Sequence, residues 1–380
     1  MSQDTPRRPR MLLHVQHLLG TGHLRRMAAI AGALAARGAQ VVLMSGGTPL
    51  SDLAPPPGVV FEQLPPARAA DATFRILLDA QANPVDEAWR AARRARVLEI
   101  LARTRPDLLL IEHFPFGRRL LEFELLPLIE AARALPARPV LVSSVRDVLV
   151  AKPDAAKRAA MVARARALFD RVLFHGDPDM LALTGSLPEA AALGDRLVAT
   201  GYVALPAPAP GDDQAGHDEI LVSAGGGAVG RRLLDCALAA RALGAQRGRR
   251  WRILTAATGL AAQADASLIV EPNRPDFPAL LGRARLSVSQ AGYNTVVDLL
   301  AARCRALLVP FAAERENEQS LRAGALVARG LATCLDEAEL SPDMLAKAID
   351  SAAAAARPDH RIRLDGAARS ADLLLAWCRR

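Results

Sequence analysis

The chain has 380 residues, 51% hydrophobic and 23% charged, with a formal net charge of +8, which suits two globular domains. Aromatics are 4%, and only Lys152, Lys157 and Lys347 among the 48 basic residues are lysine, so the surplus charge argues against nucleic acid and for an anionic small substrate or an anionic membrane surface. Cys236, Cys304, Cys334 and Cys378 form no C-x-x-C pair, which excludes a zinc site or a disulfide framework and makes them reduced, mostly buried hydrophobes.

In chain order, Met1–Arg10 is polar and the apolar run Met11–Val15 is too short for a signal sequence; no run of about 18 apolar residues follows, so the expected location is the cytoplasm. Met11–Val15, Gln40–Met44, Asp107–Glu112, Pro139–Ser143 and Arg171–His175 read as buried strands. Helical segments such as Leu24–Arg37 and Glu87–Thr104 lie between them, the alternation of a parallel sheet covered on both faces. The arginine runs Arg90–Arg96 and Arg247–Arg252 read as solvated faces. Ala204–Asp218, rich in Pro, Gly and acids, reads as a linker. Strands then resume at Glu219–Ala224, Trp251–Thr255, Ser267–Glu271, Leu286–Ser289, Ala306–Pro310 and Leu331–Leu335. The expected fold is α/β: two doubly wound Rossmann-like domains, 1–203 and 219–356, facing across a cleft. A terminal helix within 357–380 is expected to pack back on the first domain.

Ligands of open α/β sheets sit beyond the carboxyl ends of the strands, so the loops there carry the information. The first is Gly20-Thr21-Gly22-His23-Leu24-Arg25-Arg26. Its glycines admit a close ligand, and His23 opens a helix. His23 reads equally as a general base near neutral pH or as a helix-start histidine bonded to a neighbouring loop. The second domain opens with Ser223-Ala224-Gly225-Gly226-Gly227-Ala228-Val229-Gly230-Arg231, a phosphate-binding turn or a plain glycine turn. No acid follows Trp251–Thr255 and no G-K-[ST] follows the glycines, which speaks against nicotinamide, flavin or P-loop chemistry; no cofactor is expected. Glu112 and His113, Arg146 and Asp147, and His175-Gly176-Asp177 also follow strands. Glu112 or Asp147 could orient His23, and structural ion pairing fits each of them as well.

The segment Ser289-Gln290-Ala291-Gly292-Tyr293-Asn294-Thr295-Val296-Val297-Asp298, then Val309-Pro310-Phe311 through Glu314, Glu318-Gln319 and Arg322-Ala323, resembles the donor-binding half of GT-B glycosyltransferases. The likeness is to the family 28 group of the lipid-linked peptidoglycan N-acetylglucosaminyltransferase, in a poorly characterised bacterial branch. It covers roughly the last 160 residues. The first loop is similar to that of the same enzymes and of nucleotide-sugar hydrolases of nonulosonate synthesis, where the loop histidine lies at the reacting centre.

The resemblance implies an inverting transferase of the hexosyl or N-acetylhexosaminyl type, taking its sugar from a nucleotide donor, expected to be a uridine diphosphate sugar. Gly22, Gly225, Gly226, Gly227 and Arg231 belong to its donor-side loops. Ser289, Gly292, Asn294 and Thr295 would present N–H groups and a helix N-terminus to the diphosphate. Asp298 matches the acid that takes the ribose hydroxyls, usually Glu, and Glu318 and Gln319 match the pair that reads the sugar. A solvated helix face is the plainer account of that pair. Helix dipoles and arginines can stabilise the leaving group, and no D-x-D triplet follows a strand, so metal-independent transfer is expected, with His23 as base. The acceptor is unidentified, lipid-linked or polysaccharide. Peripheral attachment to the inner face of the cytoplasmic membrane would require an apolar patch rimmed by arginine, for which Asp71–Ala95 is the candidate. A nucleotide-sugar hydrolase or 2-epimerase, or a non-catalytic nucleotide-sugar-binding protein, are the alternatives.

Overall fold

The computed structural model describes residues 7–50, 53–71, 74–149, 154–205, 214–224, 230–255, 264–311 and 317–378. They fall into two compact units. The first comprises the described residues of Met1–Asp177, Ala182–Val203 and Asp365–Arg380; the second comprises those of Pro178–Leu181 and Ala204–Leu364.

The first unit is built on strands β1 (Arg10–Val15), β2 (Gln40–Ser45) and β3 (Val59–Gln63), a small antiparallel ribbon β4 (Arg68–Ala69) and β5 (Leu77–Leu78), then β6 (Leu108–Glu112), β7 (Val140–Arg146), β8 (Arg171–His175) and β9 (Leu197–Ala199). The seven long-sheet strands are parallel in the order β3-β2-β1-β6-β7-β8-β9. β1 and β6 are central and buried on both faces, which is why they read as unbroken apolar runs. β3 and β9 were not expected. β3 is a half-exposed edge strand whose residues give no apolar run, and β9 has only three residues. Helices α1 (Gly22–Ala36), α2 (Glu87–Thr104), α3 (Glu122–Arg133), α4 (Ala155–Leu168) and α6 (Leu183–Ser186) belong to this unit. Asp86 caps α2 by accepting from the Trp89 amide at 2.7 Å. A terminal helix, Gly366–Cys378, packs Ala371, Leu374 and Leu375 into the cluster formed by α1, β1 and β2, and Asp372 pairs with Arg37 at 2.6 Å.

The second unit has β10 (Ile220–Ser223), β11 (Trp251–Leu254), β12 (Leu268–Glu271), β13 (Leu286–Ser289), β14 (Ala306–Leu308) and β15 (Thr333–Cys334), all parallel in the order β12-β11-β10-β13-β14-β15. Its helices are α5 (Pro178–Leu181), α7 (Arg231–Ala240), α8 (Phe277–Arg283), α9 (Tyr293–Ala302), α10 (Glu318–Val327) and α11 (Pro342–Ala354); the terminal helix is therefore α12. One core joins β10, β11, β13 and β14 to α7 and α11.

Three expectations are corrected. Arg93, within the arginine run of α2, is fully buried and donates to Glu124, Gln16 Oε1 and the carbonyls of Gly46 and Pro65. Arg252, in β11, is buried between Glu219 and Glu271, each at 2.6 Å. Of the cysteines, Cys304 is buried but Cys334 is exposed; all four are free thiols.

Candidate functional site

In both sheets the strand order reverses beside the first strand of the unit: between β1 and β6 in the first, and between β10 and β13 in the second. In open parallel sheets the loops leaving such a switch point diverge, and ligands bind at the carboxyl ends of its strands.

In the first unit, the loop after β1 delivers His23 on the first turn of α1, and β6 ends on Glu112. His23 Nδ1 lies 2.5 Å from Glu112 Oε1. Glu112 is acceptor-only as a carboxylate, so Nδ1 carries the proton and Nε2 keeps its lone pair. The His23 side chain is 17% exposed, whereas Glu112 is buried. Arg26, one turn along α1, donates to the same oxygen at 2.6 Å, and Arg118 donates to Oε2 at 3.3 Å. Burial works to raise the Glu112 carboxyl, but His23, Arg118 and Arg26 together hold it well below the usual range, so it is an anion. Burial pushes the His23 imidazole down to about 3 against the pull of Glu112, so it is neutral at physiological pH.

Two further histidines flank this pair. The His113 ring lies 5.6 Å from that of His23 and is held neutral by burial, with Arg118 adding to the effect. His175, at the end of β8, is locked in one tautomer. Thr200 Oγ1 donates to the Gly201 carbonyl at 2.9 Å and so accepts from His175 Nδ1 at 2.9 Å. Nε2 then accepts from Ser144 Oγ at 2.7 Å. Burial lowers His175 to about 3.

Asp147, the other carboxylate considered for orienting His23, is buried and caps its own loop by accepting from the Val148 amide at 2.8 Å. The hydrogen bond of His23 Nδ1 goes to Glu112. Sequence reasoning missed Arg26 and Arg118. The i,i+3 spacing of His23 and Arg26 on α1 was a usable signal for the first; nothing local announced the second.

In the second unit, Gly225, Gly226 and Gly227 lie outside the described residues. The glycine that follows them, Gly230, abuts Ala224 so closely that a side chain there would strike it, which explains glycine at the start of α7. Arg231 is 57% exposed and pairs with Asp235 one turn along the helix. The turn after β13 leads into α9 with Gly292 at the N-cap and no side-chain hydrogen bond capping it among the described residues. Ser289 Oγ, at the end of β13, is buried without a hydrogen-bond partner among the described residues. Asp298, further along α9, is raised to about 7 by burial alone.

Glu318 and Gln319 open α10, with Arg322 one turn on. Gln319 Oε1 accepts from the amides of Ala291 and Phe311, both at 3.1 Å, leaving only its Nε2 to donate elsewhere. Arg322 donates to the Ala291 carbonyl at 2.6 Å and lies 3.9 Å from Glu318. The turn before Gly292 is thus held from α10 at both its amide and its carbonyl. Among the described residues, no group of three His, Cys, Asp or Glu could hold a metal ion, and no helix is long and apolar enough to cross a membrane.

Two parallel units of this strand order constitute the GT-B fold, and solved structures agree over nearly the whole chain. The calicheamicin glycosyltransferase CalG4 superposes with a TM-score of 0.63 at 18% identity, covering 98% of this chain and 99% of that one. MurG of Acinetobacter baumannii gives 0.58 at 17% identity, covering 97% and 100%. Residues 262–362 match the glycosyltransferase family 28 C-terminal domain, so the likeness to family 28 lies in the second unit. Two curated relatives are UDP-N-acetylglucosamine--N-acetylmuramyl-(pentapeptide) pyrophosphoryl-undecaprenol N-acetylglucosamine transferases. That of Nitrosococcus oceani is 40% identical over 112 residues, which is 27% of this chain and 31% of the relative. That of Synechococcus is 28% identical over 242 residues, 57% of this chain and 66% of the relative. The chain thus spans a third to two thirds of the length of these relatives.

Proposed function

We propose that the chain is an inverting glycosyltransferase in which the first unit supplies a histidine base and the second binds a nucleotide-sugar donor. The observation that carries the reading is the 2.5 Å pair of His23 and Glu112 at the switch point of the first sheet. His23 Nε2 takes the proton of an acceptor hydroxyl as its oxygen attacks the anomeric carbon. Glu112 stabilises the imidazolium that forms. The bond from the anomeric carbon to the nucleoside diphosphate breaks on the opposite face, and one displacement inverts that carbon. The uncapped start of α9, with Ser289 Oγ beside it, suits the charge that develops on the leaving diphosphate. Asp298 suits the ribose hydroxyls, and Gln319, whose oxygen is engaged by backbone, suits a donor hydroxyl that accepts a hydrogen bond from Nε2. The relatives' names favour a uridine diphosphate N-acetylhexosamine as donor and a lipid-linked acceptor.

The test is twofold. Thermal unfolding with uridine, thymidine, adenosine and guanosine diphosphates, with and without magnesium, should show stabilisation by one of them; a ligand at about 100 times its Kd contributes about 2.7 kcal/mol. Turnover with the matching sugar nucleotides should then release diphosphate in wild type and not in His23→Ala. A His23→Ala protein that binds donor and retains full turnover would refute the base. Free sugar without acceptor would indicate hydrolysis, and an isomerised donor epimerisation.

A second reading concerns location. Leu19, Phe74 and Ile76 are 53%, 42% and 52% exposed. The Leu18 carbonyl accepts from the Ala69 amide and the Ile76 carbonyl from the Ala70 amide, which gathers the three residues, with exposed Arg68 and Arg75, around the β4–β5 ribbon. An apolar patch beside arginines suits a peripheral contact with anionic lipid. Sedimentation with anionic vesicles at low salt, lost in Phe74→Glu, is the expected result; no sedimentation of wild type removes the reading.

A further inference from the structure

Both oxygens of Glu112 are engaged by arginine. Arg26 reaches Oε1 simply by sitting one turn after His23 on α1. Arg118 reaches Oε2 by a less direct route. It ends the loop His113–Arg118 that leaves β6, and that loop doubles back on itself. His113 and Arg118 both take left-handed backbone conformations, with φ of 64° and 63°, which residues with a side chain adopt rarely. The Gly117 amide donates to the His113 carbonyl at 2.7 Å, and a side chain at Gly117 would strike the His113 ring. The loop therefore closes over six residues and turns Arg118 back onto the carboxylate that ends the same strand. A conformation this restricted persists where the surrounding structure specifies it, and such positions gather at functional sites.

We propose that Arg118 is a positioning residue for the base: it holds Glu112 Oε2 while Arg26 holds Oε1, so that one carboxylate geometry faces His23 Nδ1 and keeps the proton off Nε2. The proposal rests on His23 acting as the base of the transfer. Without Arg118, Oε2 is free and Glu112 can rotate. The charged and titratable groups around the pair are Arg26 on α1, His113 and Arg118 on the loop, Arg146 at the end of β7 and His175 at the end of β8. Arg118 disfavours a proton on both His23 and Glu112, so its removal moves both titrations upward.

The experiment is an NMR titration of the His23 imidazole in the full chain from pH 4 to 8, for wild type, Arg118→Met and Arg118→Lys, with diphosphate release measured on the same samples. Wild-type His23 is expected to remain neutral throughout. In Arg118→Met protonation of the ring should become visible at the acid end of that range, where wild type shows none. kcat should fall 10- to 100-fold, with its acid limb displaced to higher pH and the donor KM unchanged; Arg118→Lys should lie between. A folded Arg118→Met protein with wild-type His23 titration and kcat overturns the proposal. If that variant does not fold, the same null result in Arg118→Lys and Arg118→Gln overturns it. A His23 titration that moves with Arg118 in a protein that turns over no sugar nucleotide leaves the positioning role standing and refutes the transfer reading.

Discussion

The two switch points are built on opposite plans. In the first unit the acid–base groups are paired with one another: His23 with Glu112, Glu112 with Arg26 and Arg118, His175 with Ser144 and Thr200. In the second unit the turn itself is braced from behind by Gln319 and Arg322, while among the described residues Ser289 Oγ has no partner and α9 no capping side chain, and the Asp298 carboxyl is raised by burial alone. A base must be oriented by its own protein before substrate arrives, so its partners are internal. A surface that recognises a polar ligand must instead keep donors and acceptors unspent, because a buried polar group already satisfied has nothing further to offer.

Arg93 carries the largest expected effect. Arg93 and Glu124 are both fully buried, and Arg93 also ties Gln16 and the Gly46 carbonyl to α2, bracing the loops beside β1 and β2. Arg93→Met leaves Glu124 a buried charge with, among the described residues, only His14 at 3.3 Å. A loss of about 3–5 kcal/mol in urea unfolding is expected, with the nucleotide-induced stabilisation of the second unit preserved. A loss below about 1 kcal/mol would mean that this internal pairing in the first unit is incidental. Next in size, Glu112→Gln should lower turnover by about 100-fold or more, since an amide cannot stabilise the imidazolium as a carboxylate does. Its diphosphate binding should match wild type; unchanged turnover would reduce the pair to architecture.

The layout of strands was readable because central parallel strands are buried on both faces and announce themselves as apolar runs; β1, β6, β10 and β13 all fall where such runs predict. Edge strands such as β3 and β9 lack that signature. His23 and the α9 turn were legible because each sits in a glycine loop directly after a strand. The choice of Glu112 over Asp147 was not, because both follow a strand and only three-dimensional register brings β6 beside β1. Buried arginines were the least legible: Arg93 and Arg252 lie among arginines that face water, and their partners, Glu124 and Glu219, are 31 and 33 residues away.

Burying a neutral histidine in the first unit has a cost in acid. His175 is neutral in the fold, with its titration lowered to about 3, whereas in the unfolded chain it takes a proton near 6.5. The unfolded state therefore binds more protons between those values, and the stability contributed is complete above about pH 6.5 and lost as pH falls toward 3. From pH 6.5 to 5 the loss is about 2 kcal/mol for this histidine. His175→Gln should unfold with a shallower dependence on pH across that window, and an unchanged slope would show that His175 is protonated in the fold.

Asp298 carries the smallest effect and the sharpest contrast. Burial raises its carboxyl to about 7, so it is largely protonated at pH 6 and ionised at pH 8. An ionised carboxylate accepts from both ribose hydroxyls, whereas the acid must give up one acceptor position. Diphosphate affinity of the wild type should therefore rise several-fold from pH 6 to 8. Asp298→Asn should bind about tenfold more weakly at pH 8, roughly 1.4 kcal/mol, and nearly as well as wild type at pH 6. The same substitution removes a buried charge that burial disfavours and so should unfold at a higher temperature at pH 8. Weaker binding joined to greater stability is the mark of a residue kept for a ligand rather than for the fold; loss of both would make Asp298 part of the architecture and bring the second site closer in plan to the first.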